Sequence, residues 1–183
     1  MNKIASHNTM SYLPPKHWWL YPFRFIARCQ SKTIQEQYEK YGIKCFDLRV
    51  CFDESGNPHF AHGLITYKGN VYQVLNYLNS LKDDIKVRLI LEKGLSFVLF
   101  YNLCRFFERS YKNITFFEGV AKDGWVRICS FQYQPTYDQK VSSMTGKKWD
   151  DWCPWLYAKL MNKKNVQKGT DKNFLFMDFV NIK

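Results

Sequence analysis

Residues 42–63, GIKCFDLRVCFDESGNPHFAHG, hold two strand-like segments and the turn between them. Asp47 and Arg49 are two positions apart, so a strand would place both side chains on one face. The Gly-Asn-Pro sequence within residues 53–58 predicts a loop, after which a second strand ends at His62. The stretch therefore predicts a carboxylate, a guanidinium and an imidazole at one place. Phosphoryl chemistry uses such a set, because Arg neutralises phosphate charge and His transfers protons.

A second histidine lies near the start of the chain, in the segment ASHNT at residues 5–9. This segment predicts the end of a first strand, with His7 at the carboxyl end where β/α barrels carry catalytic groups. A helix at residues 31–41 would connect this strand to the next one. The two strands of such a β-α-β unit are neighbours, so we expect His7 to lie beside Asp47.

The rest of the chain alternates between helix-like and strand-like patterns. Thr33 and Glu36 have the spacing of a capping box at the start of the first helix, and Asn70 caps a second helix. The later predicted elements are a buried strand at 87–91 that ends in Glu92, a buried helix at 97–111, strands at 114–121 and 126–131 around the turn at 123–124, a loop at 134–148, a helix at 149–161 with Pro154 in its first turn or breaking it, and a strand at 174–180 that carries Asp178. We therefore predict an α/β fold in one domain over residues 1–183. A compact or incomplete (β/α) barrel of the TIM type fits this length, because a full eightfold barrel usually needs about 250 residues.

The order of these motifs resembles a known family. SHNT at residues 6–9, a helix, GIKCFDLRV at 42–50 and a hairpin closing in His62-Gly63 resemble the catalytic X-region of the phosphatidylinositol-specific phospholipases C. The match covers residues 4–93, and a weaker similarity is found in FMDFV at 176–180. The resemblance implies a phospholipase C-like phosphodiesterase fold and an enzyme that cleaves phosphatidylinositol or a related phosphodiester.

The resemblance also implies a mechanism without a covalent enzyme intermediate. His7 would take the proton from a substrate hydroxyl, whose oxygen attacks the phosphorus, and His62 would protonate the leaving alcohol. Arg49 would bind the non-bridging oxygens, and Asp47 and Asp178 would orient the imidazoles. With the inositol 2-hydroxyl as the nucleophile, the products are diacylglycerol and an inositol cyclic phosphate.

Two electrostatic solutions occur in this family, a calcium ion and an arginine. Asn8, Asp47 and Glu92 stand where the calcium-dependent enzymes place ligands, but Arg49 stands where they place a further carboxylate. A guanidinium within a few Å of a divalent cation would cost several kcal/mol. We therefore expect a site with no metal and no other cofactor, and calcium is the alternative. Asn8 and Glu92 are then expected to bind substrate, or Glu92 to pair with Arg49.

The charge and aromatic content predict a partner that is anionic. Lys and Arg number 27 and Asp and Glu number 16, which gives a net charge of +11. Nucleic acid and an anionic membrane surface both fit, but no zinc-finger, RNP or basic-zipper pattern is present, so nucleic acid is not expected. Residues 10–30 predict an irregular loop in which Trp18 and Trp19 lie among prolines and basic residues. We interpret the two tryptophans as a membrane-binding anchor; the alternative is that they cap or fill the mouth of the barrel.

The cysteines and the hydrophobic runs bear on the compartment. The six cysteines lie mostly in apolar runs without CxxC spacing, which indicates buried free thiols in a reducing compartment. No signal peptide fits before the first predicted strand, and no apolar run reaches the roughly 20 residues needed to span a bilayer. We therefore expect a cytoplasmic protein or one peripheral at a membrane.

Two rival functions remain open. A glycerophosphodiester phosphodiesterase-like hydrolase of soluble phosphodiesters would share the barrel and the histidine pair. It would be metal-dependent and carry His-Arg-Gly and Glu-x-Asp motifs, whereas this chain has SHNT and Asp-x-Arg. The other rival is a catalytically silent basic domain that binds lipid or nucleic acid. The net charge supports it, but a pure binding domain has no need of two imidazoles.

Overall fold

The computed structural model describes residues 3–92, 97–117, 131, 133, 135, 137–138, 153–168 and 174–182. Its strands are β1 (Lys3–Ser6), β2 (Cys45–Phe52), β3 (Pro58–His62), β4 (Ile65–Thr66), β5 (Ile85–Leu91), β6 (Ile114–Phe117), β7 (Tyr137–Asp138) and β8 (Phe174–Met177). Its helices are α1 (Arg24–Ala27), α2 (Ile34–Glu39), α3 (Val71–Ser80), α4 (Phe97–Ser110) and α5 (Pro154–Lys168), with 3₁₀ turns at Thr9–Tyr12 and Trp18–Phe23.

Six of the strands form a parallel sheet in the order β6-β5-β2-β1-β8-β7. The predicted hairpin is present: β3 pairs antiparallel with β2, and β4 pairs with β3. In the described part of the chain, helices lie between β1 and β2, β2 and β5, β5 and β6, and β7 and β8, which is the connectivity of a β/α barrel. The predicted incomplete (β/α) barrel is thereby confirmed.

The two faces of the parallel sheet carry different side chains. Phe46, Leu48 and Val50 alternate along β2 and pack in the larger core cluster, which includes Leu75 and Leu78 of α3. The opposite face points into the barrel, where Asp47 and Arg88 are buried beside a small cluster made of Ala5, Cys45, Phe117 and Phe176. The period of two along each strand thus separates the hydrocarbon layer under the helices from a polar barrel interior.

Local signals placed the helix starts well. Thr33 and Glu36 form the predicted capping box of α2, and the side chain of Asn70 accepts a hydrogen bond from the backbone of Gln73 at the start of α3. Pro154 is the first residue of α5, where its missing N–H removes no helical hydrogen bond.

Three predictions about the elements need correction. α4 is not buried all round, because Val98 and Phe106 are 71% and 50% exposed while Phe100 and Phe107 are buried. This helix covers the sheet with one face only, so its outer face stays apolar and accessible. Residues 10–30 are not irregular but form two 3₁₀ turns and α1. The predicted loop at 134–148 contains β7, which pairs with β8.

Several predicted features lie partly or wholly outside the residues that the structure describes. The predicted strand at 126–131 and the turn at 123–124 lie outside the described residues, except for Phe131. Among the described residues, Cys29, Cys45, Cys51, Cys104 and Cys153 form no disulfide, and the first four are buried; Cys129 lies outside the described part. Among the helices that the structure describes, none has the length and hydropathy required to cross a bilayer.

Candidate active site

Neighbouring strands deliver His7 and Asp178 to one edge of the sheet. β1 and β8 are parallel and in register from Lys3 with Phe174 to Ser6 with Met177, so the residues that follow them are adjacent. His7 Nδ1 lies 2.7 Å from Asp178 Oδ1, and both residues are buried. Asp178 is thus placed where it could orient the imidazole of His7, and this role stays a prediction.

Asp47 is the buried centre of the charged groups on β2 and β5. Its Oδ2 atom accepts hydrogen bonds from Arg88 Nη2 at 2.8 Å, from the backbone N–H of Asn8 at 3.0 Å and from Arg49 Nε at 3.1 Å. Burial alone would raise the pKa of the Asp47 carboxyl, but Arg49 and Arg88 lower that pKa well below its usual range. Asp47 is therefore ionised, and its charge holds two guanidinium groups in place.

Arg49 joins the acidic groups to the imidazole. Its Nη1 atom donates to Glu92 Oε2 at 3.1 Å, and its Nη2 atom lies 2.6 Å from His7 Nε2. Burial alone would lower the pKa of the Arg49 guanidinium, but Asp47 and Glu92 raise it above its ordinary value. The arginine therefore stays positively charged at the bottom of the site.

The partners of His7 define its tautomer. A guanidinium only donates hydrogen bonds, so Nε2 of His7 must accept from Arg49 with its lone pair. The ring proton then lies on Nδ1 and is donated to Asp178. His7 consequently presents a basic nitrogen toward Arg49, which is the form that a general base requires.

His62 is at the end of β3 and faces the same space from the other side. Its ring centroid lies 6.4 Å from that of His7, at an interplanar angle of 86°. Its Nδ1 atom lies 3.0 Å from the carbonyl oxygen of Ala27, which can only accept, so Nδ1 carries a proton and Nε2 is left for chemistry. Burial and the nearby Arg49 charge lower the pKa of His62 below its ordinary value of 6.5.

Glu92 connects the two sides of the site. One carboxylate oxygen pairs with Arg49, and the other accepts the backbone N–H of Gly63 at 2.8 Å. The residue that follows His62 is thus tied to the arginine that contacts His7. Of the two roles expected for Glu92, the structure shows the pairing with Arg49.

A cavity of about 600 Å³ opens beside the two histidines. Besides His7 and His62, its lining consists of Leu20, Phe23, Ile26, Ala27, Cys29, Gly63, Leu64, Ile65 and Pro154. Trp18 and Trp19 belong to the same 3₁₀ turn as Leu20 and Phe23 and are 78% and 53% exposed. With this exposure the two rings do not fill the barrel mouth; their roles as a cap of the barrel or as a membrane anchor stay predictions.

The orientation of the imidazoles differs in part from the prediction. Asp47 does not orient an imidazole by a hydrogen bond, because its Oδ2 atom is 3.8 Å from His7 Nε2 and is occupied by the two arginines. His62 is oriented by the backbone of Ala27 instead of a carboxylate. Asn8 is buried with its Nδ2 atom 3.9 Å from Cys29 Sγ, and its backbone N–H supports Asp47. Its expected contact with substrate stays a prediction.

Three buried polar residues that support the site were missed in the sequence. Arg88 interrupts the apolar segment IKVRLIL, and a charged residue in a strand buried on both faces indicates a buried partner. Gln30 donates through Nε2 to the carbonyl oxygens of His7 and Met177 and accepts from the backbone of Val180. Asn162 of α5 donates to the carbonyl oxygens of Asp178 and Ile182. Gln30 and Asn162 carry no local signal, because their partners are backbone groups distant in sequence.

The site fits a divalent cation poorly. The carboxylates of Asp47 and Glu92, expected as ligands in a calcium site, both accept hydrogen bonds from Arg49. Among the described residues, His7, Cys29 and Asp178 bring possible ligand atoms within 4.8 Å of one another. However, Nδ1 of His7 is already hydrogen-bonded to Asp178, and burial raises the pKa of the Cys29 thiol well above its usual value. That the site works without metal stays a prediction.

Comparisons with known proteins bear on the fold. No family model and no curated protein matches the chain. The phosphatidylinositol-specific phospholipase C of Listeria monocytogenes matches with a TM-score of 0.61 at 16% identity, over 97% of this chain and 88% of that chain. Two variants of the Staphylococcus aureus enzyme, one single and one double, match with TM-scores of 0.62 and 0.63 at 14% identity, over 98% of this chain and 85% of theirs. Another matching structure concerns the membrane binding of the S. aureus enzyme.

The chain has the fold of the bacterial phosphatidylinositol-specific phospholipases C. The resemblance read from SHNT and from GIKCFDLRV is thus confirmed at the level of the fold. The similarity spans nearly the whole chain and not only the first half, in which the motifs lie.

Proposed function

We propose that the chain is a phosphodiesterase of the phospholipase C type, which cleaves phosphatidylinositol or a related phosphodiester without a metal ion. One observation carries this proposal: a carboxylate-oriented imidazole that contacts an arginine lies across one cavity from a second imidazole. General acid and base groups on opposite sides of a phosphate, with a fixed cation between them, are what an in-line displacement requires.

The reaction proceeds by attack of a hydroxyl group of the substrate itself. His7 Nε2 accepts the proton of this hydroxyl, and its oxygen forms a bond to phosphorus. The bond between phosphorus and the leaving oxygen breaks, and protonated His62 gives its Nε2 proton to that oxygen. With phosphatidylinositol the products are diacylglycerol and inositol cyclic phosphate. At the end of this step His7 has gained the proton of the attacking hydroxyl and His62 has lost one to the leaving oxygen, so no other reactant is consumed.

Arg49 supplies the positive charge that this step needs. The bound phosphodiester is an anion, and its charge shifts to the equatorial oxygens in the transition state, where a forked guanidinium can donate two hydrogen bonds. Asp47 and Glu92 hold the guanidinium before substrate arrives, so little reorganisation is required. Substrate takes the place of Arg49 at His7 Nε2.

The substrate is met at an anionic membrane surface. Trp18 and Trp19 are exposed next to the cavity, and the chain carries a net charge of +11. Exposed tryptophans enter the headgroup layer, and basic residues are attracted to anionic lipid. The same two features would also serve the rival function, a catalytically silent lipid-binding domain, so activity must decide between them.

The experiment that decides between these functions tests three phosphodiesters as substrates of the purified protein. Phosphatidylinositol vesicles, glycerophosphoinositol and glycerophosphocholine are each incubated with calcium and with EDTA, and phosphorus NMR is used to find a cyclic phosphate. We expect a cyclic product from an inositol substrate in both conditions, and none from the His7→Gln variant. Hydrolysis of the two soluble glycerophosphodiesters only with calcium, with the vesicles left intact, would instead favour the glycerophosphodiester phosphodiesterase function. Vesicle binding without any product would favour the silent domain.

A further inference from the structure

The cavity beside the histidines has hydrocarbon walls. We call it the apolar cavity; it is bounded by five residues of the segment 20–29 (Leu20, Phe23, Ile26, Ala27 and Cys29), by residues 62–65 and by Pro154 at the start of α5, together with His7. Among the lining residues that the structure describes, the polar side chains are the two catalytic imidazoles and the Cys29 thiol, which stays protonated because burial raises its pKa. Its volume of about 600 Å³ is within the range of roughly 300–1,000 Å³ that is typical for small-molecule sites.

These walls do not suit a polyhydroxylated ring. Each hydroxyl group that leaves water must find a hydrogen-bond partner, because an unpaired buried polar group is costly. Leu20, Ile26 and Ile65 offer only methyl and methylene groups to a ligand. A hydrocarbon chain, in contrast, gains free energy when it moves from water to such a surface.

The position of His62 indicates which part of a substrate enters the cavity. His62 is the group that protonates the leaving oxygen, and the three residues that follow it, Gly63, Leu64 and Ile65, continue along the wall. A group bonded to the leaving oxygen therefore extends along this wall. The attacking hydroxyl lies on the opposite side, near His7 and Arg49.

We propose that the apolar cavity binds a hydrocarbon chain carried by the leaving alcohol. The substrate is then a phosphodiester with an alkyl or acyl chain drawn into the protein, not one whose chains all remain in the bilayer. This assignment rests on the proposed function for the position of the phosphate. Phe23 and Leu64, which are 57% and 86% exposed, line the cavity as well and place its entrance next to the membrane-facing tryptophans.

The test is the binding of hexyl, octyl and decyl phosphate, kept below micelle concentration and followed by isothermal titration calorimetry, with inorganic phosphate as the reference. Burial of one methylene group is expected to tighten binding about fourfold. Ile26→Trp should fill the cavity and abolish the dependence on chain length, and Ile26→Gln should weaken it. Phe25→Gln is the matched control, because Phe25 is the neighbouring residue of α1, is 60% exposed and does not line the cavity.

The outcomes separate this proposal from the proposed function. Affinity that increases with chain length in the wild type and in Phe25→Gln, but not in a folded Ile26→Trp variant, supports the cavity assignment even if no phosphodiester is cleaved. Affinity independent of chain length overturns the assignment even if the enzyme is active. The assignment is also overturned if both Ile26 variants keep the chain-length dependence of the wild type, because the chains would then bind elsewhere.

Discussion

Nη2 of Arg49 lies 2.6 Å from Nε2 of His7, so the cation that would bind the phosphate also covers the nitrogen that would remove the proton. In this contact the guanidinium donates to the lone pair of His7 Nε2, so that lone pair is occupied before substrate binds. An anionic phosphate that accepts from Nη2 in place of His7 would free the lone pair of His7, while Asp47 and Glu92 still hold the guanidinium. In the proposed mechanism, base and cation would then become available together when substrate binds.

The proposed role of Arg49 depends on the forked shape of its guanidinium, and substitutions can test this. We expect Arg49→Lys to lower kcat/KM nearly as much as Arg49→Ala, by about a hundredfold or more, because an ammonium is not a fork and cannot donate to two phosphate oxygens in the same way. The measurement is the steady-state cleavage of an inositol phosphodiester. Near wild-type activity in the lysine variant would show that only the charge matters.

His62 can be tested by the acidity of the leaving group. His62→Ala should lower turnover of a substrate with an alkoxide leaving group by about a hundredfold or more, because that oxygen needs a proton as its bond breaks. A nitrophenyl leaving group should largely restore the rate. His7→Ala is the matched variant, since loss of the base should slow both substrates. An equal loss of both substrates in His62→Ala would contradict its role as the acid.

The lowered pKa of His62 gives a direction for the dependence on pH. A general acid must be protonated, and burial together with the Arg49 charge lowers the pKa of His62 below its ordinary value of 6.5. The active fraction of free enzyme should therefore decrease as pH rises through a pKa lower than 6.5, and kcat/KM should decrease with it. Proton NMR of the imidazole, assigned with His62→Ala, should show the same pKa.

The Arg49→Gln variant provides the control for that titration. Removal of the guanidinium should raise the pKa of His62, while burial should still keep it below the ordinary value. A His62 pKa that does not change in this variant would show that Arg49 has no electrostatic influence on the acid.

The parts of the candidate site that depend on local sequence patterns could be predicted from the sequence. Asp47 and Arg49 share a face because strands have a period of two, and His7 and Asp178 meet because parallel neighbouring strands end at one edge. The capping residues Thr33 and Asn70 are short-range signals of the same kind. Each of these inferences used either the residues of a single element or the general rule for how two neighbouring elements are arranged.

The parts that failed depend on the packing of distant elements. Whether the apolar residues of α4 are buried depends on how many neighbours cover the helix, and one sheet face covers only one side. One of the partners of Asp47 is Arg88 on β5, and the partner of His62 is a carbonyl oxygen of α1. Periodicity predicts which face a residue occupies, but not which polar group lies opposite it.

Gln30 should contribute to the stability of the site as well as to its geometry. Its Nε2 atom donates to the carbonyl oxygens of His7 and Met177, which lie at the ends of β1 and β8. Gln30→Ala leaves these buried oxygens without this donor, at a cost of about 1–3 kcal/mol in the free energy of unfolding. Urea denaturation measures the change, and Gln35→Ala, at an exposed position of α2, is the control. Equal stability of the two variants would show that water replaces the Gln30 amide.

Substitution of Trp18 and Trp19 can test whether the protein acts at a membrane. They are exposed in the same 3₁₀ turn as Phe23, which lines the cavity, so we expect a bilayer that receives the two rings to lie near the cavity entrance. Replacing both by Ala should reduce the hydrolysis of vesicle substrate about tenfold or more, because each indole favours the headgroup layer. Hydrolysis of a soluble short-chain substrate should hardly change. Phe106→Ala is the matched control, because Phe106 is 50% exposed but lies on α4 against Tyr72, outside the cavity lining.

Added salt should separate the contribution of charge from that of the tryptophans. Basic residues near an anionic surface contribute roughly 1 kcal/mol each, and this attraction is screened over about 10 Å at 0.1 M salt. Vesicle binding by the wild type, measured by sedimentation, should therefore weaken with salt, and the Trp18/Trp19 variant should be weaker at every salt concentration. Loss of activity on vesicles and on the soluble substrate together would instead make the two tryptophans part of the substrate pocket. Absence of vesicle binding at any salt concentration would make a soluble phosphodiester the substrate.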